Sequence, residues 1–360
     1  MTVAVTEIAP PLTDGAPNPE LAEVIELWRR WGEDRFGHDD FQHGPTGLAH
    51  RLTGTSRVAR RMWVVREGER VVGSLQLDLP LGENEHLADL EPCVDPSADP
   101  VAVLGALWET VRPVLRSERR TAVSLWVSDP IMAPGAEVET VVPSTGSGAV
   151  RLDETARWLL RTGFLLDQVE RSGLLRIPDG LGDLDALQAQ AEQASGDYEL
   201  VQWSGPTPPE LRAGLAVLRG RMSTDVPTGD LPRDAESWDA DRVRELDDLH
   251  RRERLDDLWA VAVHRGSGEP VAHTFLSVPQ EKPGLAWQED TLVRPDHRGH
   301  RLGLLVKTAN LRRLRAEHPG VRRVRTWNAD ENAHMLAIND VLGFRPDAIE
   351  GLWLLTLDAG

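Results

Sequence analysis

Cysteine, tyrosine and lysine are almost absent from this chain of 360 residues, and each shortage narrows its chemistry. Cys93 is the single cysteine, which excludes an internal disulfide and a metal site built from several cysteines. We predict that it is a buried structural thiol rather than a nucleophile. Tyr198 is the single tyrosine, and lysine occurs only as Lys282 and Lys307, a bias that we attribute to a genome rich in arginine codons.

Long apolar runs and excess positive charge are also missing. No run reaches the roughly 18 residues of a membrane span, and the first residues lack the basic and apolar segments of a signal peptide. We therefore expect a cytoplasmic protein without membrane contacts. The net charge of −18 disfavours nucleic acid as a partner and permits a cationic or amine substrate. No His, Asp and Glu cluster has metal-ligand spacing, so we expect no metal. The oligomeric state stays open.

The length suits two domains rather than one, and a composition of 40% hydrophobic residues provides for two cores. Helical and strand periodicities alternate along the chain, which indicates the α/β class. We expect a loose tail over 1–17, a first domain over 18–178, a connector over 179–198 and a second domain over 199–360.

The order of elements in the first domain is repeated in the second. Val94–Pro96 corresponds to Val293–Pro295, and the pair Gly163–Phe164 corresponds to Gly343–Phe344. In each copy two hairpin strands and a third strand precede a helix, a strand and a second helix. The chain therefore contains an internal repeat.

The residues from 288 to 344 carry most of the recognisable chemistry. A strand ends at Pro295, and a glycine turn with three cationic side chains, Arg298, His300 and Arg301, runs directly into a helix. The first N–H groups of a helix have no internal partner, and the helix dipole favours negative charge there. We predict that this turn binds a pyrophosphate.

This order, with the asparagines and the Gly-Phe pair downstream, resembles the GNAT superfamily of acyl-CoA-dependent N-acetyltransferases. The family motif is Arg or Gln, two residues, Gly, one residue, then Gly or Ala. Arg298 and Gly303 match its ends, but Arg301 stands where the middle glycine is usual. Its side chain either crowds the phosphates or adds a contact to them. The tandem arrangement with one degenerate copy also resembles mycothiol synthase.

The resemblance implies two tandem GNAT-type domains, each a mixed, mostly antiparallel twisted sheet flanked by helices, and acetyl-CoA as cosubstrate. The implied residues for acetyl-CoA are Leu292, Val293, Arg298, Gly299, His300, Arg301, Leu302, Gly303, Asn328 and Asn332. The first copy has Ser97–Pro100 in place of the Arg-Gly turn, without arginine or glycine. Since Asp99 would repel phosphate, we expect no CoA there.

Acetyl transfer to an amine needs a base for the amine proton and an acid for the leaving thiolate. By strand alternation Glu289 and Asp290 point to opposite faces. Glu289 is our first candidate base, with a structural ion pair as the alternative, and Asp290 is the second. The family often places a tyrosine as acid at the position of Asn339, which cannot donate a proton as an acid. Water or His334 would then supply it.

For the acceptor, we expect Asp225 and Asp230 to hold an ammonium, with helix-capping and turn roles as the alternative. His273 either faces the same cleft or is a structural histidine, and Trp287 forms pocket wall or core. The sequence predicts an N-acetyltransferase in which the primary amine of a small molecule attacks acetyl-CoA directly. The alternative is a non-catalytic acyl-CoA sensor.

Overall fold

The structure is a computed structural model that describes residues 4–9, 19–133, 135 and 137–357. The elements of the first half are β1 (Ala4–Glu7), α1 (Pro19–Phe36), α2 (Pro45–Arg51), β2 (Val58–Glu67), β3 (Arg70–Pro80), β4 (Leu87–Val94), α3 (Pro100–Ser117), β5 (Ala122–Pro130), β6 (Thr140–Val141), β7 (Val150–Arg151), α4 (Glu154–Thr162) and β8 (Leu165–Arg176). The elements of the second half are α5 (Leu184–Ala194), β9 (Tyr198–Ser204), α6 (Pro209–Asp225), α7 (Ala240–Arg252), β10 (Leu255–His264), β11 (Pro270–Pro279), β12 (Leu285–Val293), α8 (Leu302–Glu317), β13 (Arg323–Ala329), α9 (Ala333–Leu342) and β14 (Arg345–Thr356).

The α/β class and the repeat are confirmed. The series β2, β3, β4, α3, β5, α4 and β8 recurs as β10, β11, β12, α8, β13, α9 and β14. In each half the strands before and after the central helix are parallel, β4 with β5 and β12 with β13, and the other pairs of the large sheet are antiparallel. The helix that follows each parallel pair also ends in the same way: α4 ends at Gly163 and α9 at Gly343, and both glycines are in the left-handed conformation.

The last strands of the two halves are exchanged in a single sheet. Twelve strands follow the order β1, β2, β3, β4, β5, β14, β8, β13, β12, β11, β10, β9. The final strand β14 therefore pairs with β5 of the first half, and β8 pairs with β13 of the second half. Since β8 and β14 also pair with each other, the two halves meet along the middle of the sheet.

The tail expected over 1–17 is partly ordered. Residues 4–7 form β1, which pairs antiparallel with β2, and Ile8 beyond it is buried against α1. An ion pair joins Glu7 to Arg61 on β2. The pairing with β2 and the burial of Ile8 hold this segment in place. The expectation of a loose tail is therefore wrong for residues 4–8. Residues 1–3 and 10–17 of the predicted tail lie outside the described ranges.

Buried charges join the halves beside the site. Arg323 of β13 donates two hydrogen bonds of 2.8 Å to Asp40, which follows α1 and is 1% exposed. Arg325 is fully buried and donates to Asp347 and to His38, at 2.7 and 2.9 Å. These contacts fix the segment after α1 against the second half.

Two further expectations concern single features. Cys93 is buried as predicted, and burial raises the pKa of its thiol. Within the described ranges, no helix has the length and apolar character to cross a membrane.

Candidate active site

A gap opens between β12 and β13. Their parallel register begins at Leu285 and Arg323 and ends at Gln288 and Thr326. Beyond that point the remaining residues of β12 follow β11, where Leu292 lies opposite His273 and Val293 opposite Ala272. The two central strands therefore diverge, which leaves one side of β12 accessible to a ligand.

A β-bulge sits where the gap begins. Thr274 of β11 faces Thr291 and Leu276 faces Gln288, so β12 has one residue more than β11 in this interval. A bulge ends the simple alternation of side chains. Glu289 and Asp290 consequently line the same cavities. The expectation that they point to opposite faces is wrong for this reason.

The glycine turn leads into the N-terminus of α8. Gly299 has φ 87° and Arg301 has φ 53°, and no side chain caps the helix. The N–H of Leu305 donates to the carbonyl of Arg301 as the first α-helical bond. The N–H groups before it, together with the exposed Arg298 and His300, form a cationic end. This is the geometry expected of an anion site.

Arg301 occupies the left-handed conformation that the motif glycine adopts without strain. Its ψ is 24°, and its side chain is exposed. A residue other than glycine has a higher conformational free energy in this region, because its Cβ comes too close to the following carbonyl oxygen. Gly303 meets the other requirement of the motif, because a Cβ there would lie 3.1 Å from Ile338 of α9. The close packing of α8 against α9 therefore depends on a small residue at 303.

The connector tyrosine supports the turn. The hydroxyl of Tyr198 is hydrogen-bonded to Nδ1 of His297 at 3.0 Å, and its ring packs against His300 with centroids 5.4 Å apart. Tyr198 is buried at the start of β9. It supports the glycine turn from outside the motif and lies away from the two cavities described below.

The first copy closes the corresponding helix end. The Asp99 carboxylate accepts hydrogen bonds from the N–H groups of Val101 and Ala102, at 2.9 and 3.3 Å. The amides that are available at α8 are thus satisfied at α3 by a side chain that is itself negative. The structure adds this capping role to the repulsion expected from the sequence.

Two cavities meet at the bulge. The larger, of about 540 Å³, lies between the halves, and the smaller, of about 250 Å³, lies between β12, β13 and the start of α9. Both are lined by the same four residues, Glu170, Glu289, Asp290 and Trp327. These four side chains form the neck through which groups bound in the two cavities can react.

Glu289 and Asp290 differ in their partners. Asp290 forms an ion pair with Arg219 of α6. Glu289 forms no ion pair with a described residue, so the structural alternative is not supported by such a contact. Burial and the charge of Asp290 raise the pKa of Glu289 to about 7, with nearby His250 acting in the opposite direction. Burial opposes the charge of His250, but Asp257 outweighs it and raises the pKa of His250 to about 9.

His273 does not reach the cavities. It is fully buried, with its ring centroid 6.2 Å from that of Trp259, and neither ring nitrogen has a described partner. Burial lowers its pKa to about 3, so the ring is neutral. Because β11 is covered by strands on both sides and by α6, His273 belongs to the interior. Of the two alternatives, the structure supports the structural histidine, and the assignment of His273 to the acceptor cleft is corrected.

The acidic residues expected to hold the acceptor lie elsewhere. Asp225 pairs with Arg221 at 3.2 Å, and the N–H of Asp230 donates to Asp167 at 3.0 Å. Among the described lining residues of both cavities neither aspartate occurs. The loop still contributes to the wall, but with Met222, Val226 and Pro227. Asp225 is therefore engaged by an ion pair at the end of α6, and Asp230 is held through its backbone. Since neither aspartate lines a cavity, their assignment to the acceptor is corrected.

Trp287 forms part of the larger cavity. Its indole N–H donates to the carbonyl of Asp40 at 2.9 Å, and its ring meets His43 edge to face. The first half thus fixes the orientation of this wall residue. Pocket wall is the role that the structure supports for Trp287.

The asparagines are joined to a buried lysine. Asn339 accepts a hydrogen bond from Nζ of Lys307 at 2.7 Å and donates one to Oδ1 of Asn328 at 2.5 Å. Asn332 caps α9 by accepting from the N–H of Met335. Asn328, Asn332 and Lys307 line the smaller cavity. Asn328 and Asn332, which the family resemblance implied, therefore line the same cavity, and Asn339 is joined to that cavity through its hydrogen bond to Asn328.

Several cavity residues were missed from the sequence. The larger cavity also contains Arg51, Glu91, Glu170, Arg219, His250, Glu253 and Glu350. Glu170 and Glu350 lie on the exchanged strands β8 and β14, and Arg51 and Glu91 belong to the first half, so contacts distant in sequence bring them to the cavity of Glu289. Lys307 could have been found from the sequence, because it directly follows the apolar residues 304–306 of α8, a helix in which positions 302 to 311 are all buried. In the described ranges no group of three or more His, Cys, Asp or Glu is placed to hold a metal ion.

No known family model matches the chain, and no curated protein sequence matches it. Several solved structures, however, are similar to the chain. A tandem GNAT protein from the clavulanic acid biosynthesis pathway aligns with 24% identity over 100% of this chain and 99% of its own, with a TM-score of 0.72. A GCN5-related N-acetyltransferase from Sphaerobacter thermophilus aligns with 12% identity over 98% and 95%, with a TM-score of 0.57.

A third similar structure is the GCN5-related glucosamine N-acetyltransferase region of a fungal multi-domain GH3 β-N-acetylglucosaminidase. It shares 14% identity, with 98% of this chain and 38% of that chain covered and a TM-score of 0.61. The internal repeat and the divergence of β12 from β13 are consistent with the fold of these aligned structures, which extends over the full length of the chain. Over its whole length the chain has the tandem fold of the GNAT N-acetyltransferases.

Proposed function

We propose that the protein is an acetyl-CoA-dependent N-acetyltransferase that acts on the primary amine of a small molecule. The observation that carries this proposal is the meeting of two cavities at Glu289. One cavity leads to the strand gap and α8, and the other lies between the two halves. A donor and an acceptor bound on opposite sides of the neck would meet there without a covalent enzyme intermediate.

The second half suits the CoA portion of the donor. The uncapped N-terminus of α8, with Arg298, His300 and Arg301 beside it, provides N–H donors and positive charge for a pyrophosphate. The unpaired side of β12 at Leu292 and Val293 provides backbone groups for the pantetheine arm. The smaller cavity would then receive the thioester.

The larger cavity suits a positively charged acceptor. Its carboxylates outnumber its arginines, and it has tryptophans on its wall, which favour cations through their ring faces. The carboxylates are Glu91, Glu170, Glu253, Glu289, Asp290 and Glu350, and the arginines are Arg51 and Arg219. Since Arg219 is paired with Asp290, five carboxyl groups remain beside two cations, Arg51 and His250, whose pKa is about 9. These carboxyl groups can accept hydrogen bonds from an ammonium and become ionised next to it.

The chemical step begins with the loss of a proton from the ammonium. Glu289 accepts it, and the neutral amine attacks the thioester carbonyl. A pKa of about 7 makes Glu289 an effective base near neutral pH, because it is partly ionised yet still basic. The nitrogen of the tetrahedral intermediate loses its second proton to water, and collapse of the intermediate then forms the amide and releases the thiolate of CoA.

The test is acetyl transfer by Glu289→Gln, measured as thiol release from acetyl-CoA with a panel of amines. We expect turnover to fall about 10²- to 10⁴-fold, as for other general bases, with acetyl-CoA affinity unchanged. Glu137→Gln, at an exposed residue, is the matched control. Full activity in Glu289→Gln would remove this residue from the mechanism. Tight CoA binding without transfer to any amine would favour a sensor instead.

A further inference from the structure

Lys307 is the unexpected group of the smaller cavity. It is 1% exposed, it follows the apolar residues Leu304, Leu305 and Val306 of α8, and it forms no ion pair with a described residue. A buried ammonium without a carboxylate partner is energetically unfavourable. An apolar residue of the same length would fill the position without this cost, so packing alone gives no reason for a lysine.

The surroundings of Lys307 orient its nitrogen. Nζ donates to Oδ1 of Asn339 at 2.7 Å, and it lies 5.8 Å from the ring centroid of Phe344. Asn339 is itself held by Asn328, which lines the same cavity. Asn339 is the one described acceptor of Nζ, which leaves further N–H bonds for a ligand in the cavity.

We propose that Lys307 is the catalytic acid that protonates the CoA thiolate as it leaves, with Asn339 as its positioning residue. This inference rests on the proposed function. As the carbon–sulfur bond of the tetrahedral intermediate breaks, its electron pair stays on sulfur. The sulfur takes a proton from Nζ, which leaves a free thiol and a neutral lysine amine. The proton that Glu289 received from the acceptor restores the ammonium through water, so the cycle closes without another reactant.

The acidity of Lys307 fits this step. Burial lowers the pKa of its ammonium to about 7, whereas a free thiol has a pKa of about 8.5. Proton transfer to the thiolate is therefore downhill. The titratable side chains that share the cavity with Lys307 are Glu170, Glu289 and Asp290, and α9 faces it with the neutral Asn339.

The proposal predicts a narrow bell-shaped dependence of turnover on pH. Activity rises as Glu289 loses its proton near pH 7 and falls as Lys307 loses its own near pH 7. Glu289 thus governs the acidic limb and Lys307 the basic limb. A lysine that only fills space would not influence the position of either limb.

The experiment compares Lys307→Met with the unsubstituted protein, since methionine fills a similar volume without a charge. We expect turnover near pH 7 to fall about 10²-fold or more, the KM for acetyl-CoA to stay within about threefold, and the basic limb to vanish. Adding Asn339→Tyr to Lys307→Met places the family's acid beside the sulfur and should recover at least about tenfold in turnover.

Two results would overturn the proposal while leaving the proposed function intact. One is full turnover by Lys307→Met. The other is a loss that keeps the basic limb and is not relieved by Asn339→Tyr, which would indicate a structural lysine. A circular dichroism melt of each variant identifies any misfolding. Lys307→Arg then serves as the second variant: it keeps the positive charge but cannot release its proton near neutral pH, so it should lose the basic limb as Lys307→Met does. If the unsubstituted protein transfers no acetyl group, both proposals fail together.

Discussion

Glu170 of β8 lies directly opposite Glu350 of β14, so the exchanged strands bring two carboxylates together in the central cavity. Like charges facing each other across strands destabilise a sheet. Trp327 donates to Glu350 at 2.6 Å, which favours its ionised form. Burial and the neighbouring Glu350 raise the pKa of Glu170 to about 8, and burial raises that of Glu350 to about 7.

The raised pKa of Glu170 predicts how the free energy of unfolding depends on pH. In the unfolded chain Glu170 ionises near its ordinary pKa, whereas in the folded protein it keeps its proton up to about pH 8. The folded state therefore binds more protons between these values, and its free energy of unfolding falls as pH rises through them. Glu170→Gln should leave stability unchanged near pH 4 and raise it by about 1–3 kcal/mol at pH 8.5.

Urea unfolding at the two pH values measures this effect. Glu137→Gln, at an exposed position, is the control and should show no pH-dependent gain. A gain of equal size at both pH values would mean that Glu170 is destabilising for a reason other than its charge.

The second prediction concerns the glycine turn before α8 and the pyrophosphate that we propose it binds. Arg298→Ala should weaken CoA binding by about 1.5–3 kcal/mol, the typical contribution of a hydrogen bond to a charged group. Arg116→Ala, at an exposed arginine in the last turn of α3, should leave binding unchanged. Calorimetry with CoA measures both affinities, and we expect one site per chain because Asp99 already caps α3. Two equivalent sites would contradict the difference between the two helix ends.

The third prediction addresses the departure from the family motif. Arg301→Gly removes a side chain from a left-handed position and should raise the free energy of unfolding by about 0.5–1 kcal/mol. We expect CoA affinity to fall about tenfold, since an exposed guanidinium at the end of α8 is placed to contact phosphate. Thermal melts and calorimetry separate the two effects. Tighter binding by Arg301→Gly would instead show that the side chain crowds the phosphates.

Local signals predicted the repeated order of strands and helices, which the structure confirms. The glycine turn before α8 was likewise predicted from the sequence, and its binding of a pyrophosphate stays a prediction. These features depend on contacts between near neighbours in sequence. The pattern that ends each copy, a glycine followed by phenylalanine, likewise reports a left-handed helix end that forms locally.

Long-range pairing explains what the sequence did not reveal. Strands β8 and β14 follow the repeated glycine and phenylalanine, and nothing in their composition indicates that each joins the other half. The bulge that brings Glu289 and Asp290 together arises from the register with β11, which a period of two residues cannot predict. Lys307 differs, because the apolar residues that precede it in α8 could have indicated from the sequence that this lysine is buried.

The last prediction uses the repeat as its own control. Gly163 and Gly343 end α4 and α9 with φ of 99° and 101°, so alanine is strained at both. A Cβ at 163 would meet only the Leu355 side chain, at 3.3 Å, whereas at 343 it would lie 1.9 Å from the carbonyl oxygen of Gly180.

Gly163→Ala should therefore cost about 1–2 kcal/mol, the usual penalty of a left-handed residue. Gly343→Ala should cost more than about 3 kcal/mol, because the backbone at Gly180 has to move as well. Urea unfolding of both variants provides the comparison. Equal losses would mean that the segment at Gly180 yields freely, and that the C-terminal end of α9 is not held by it.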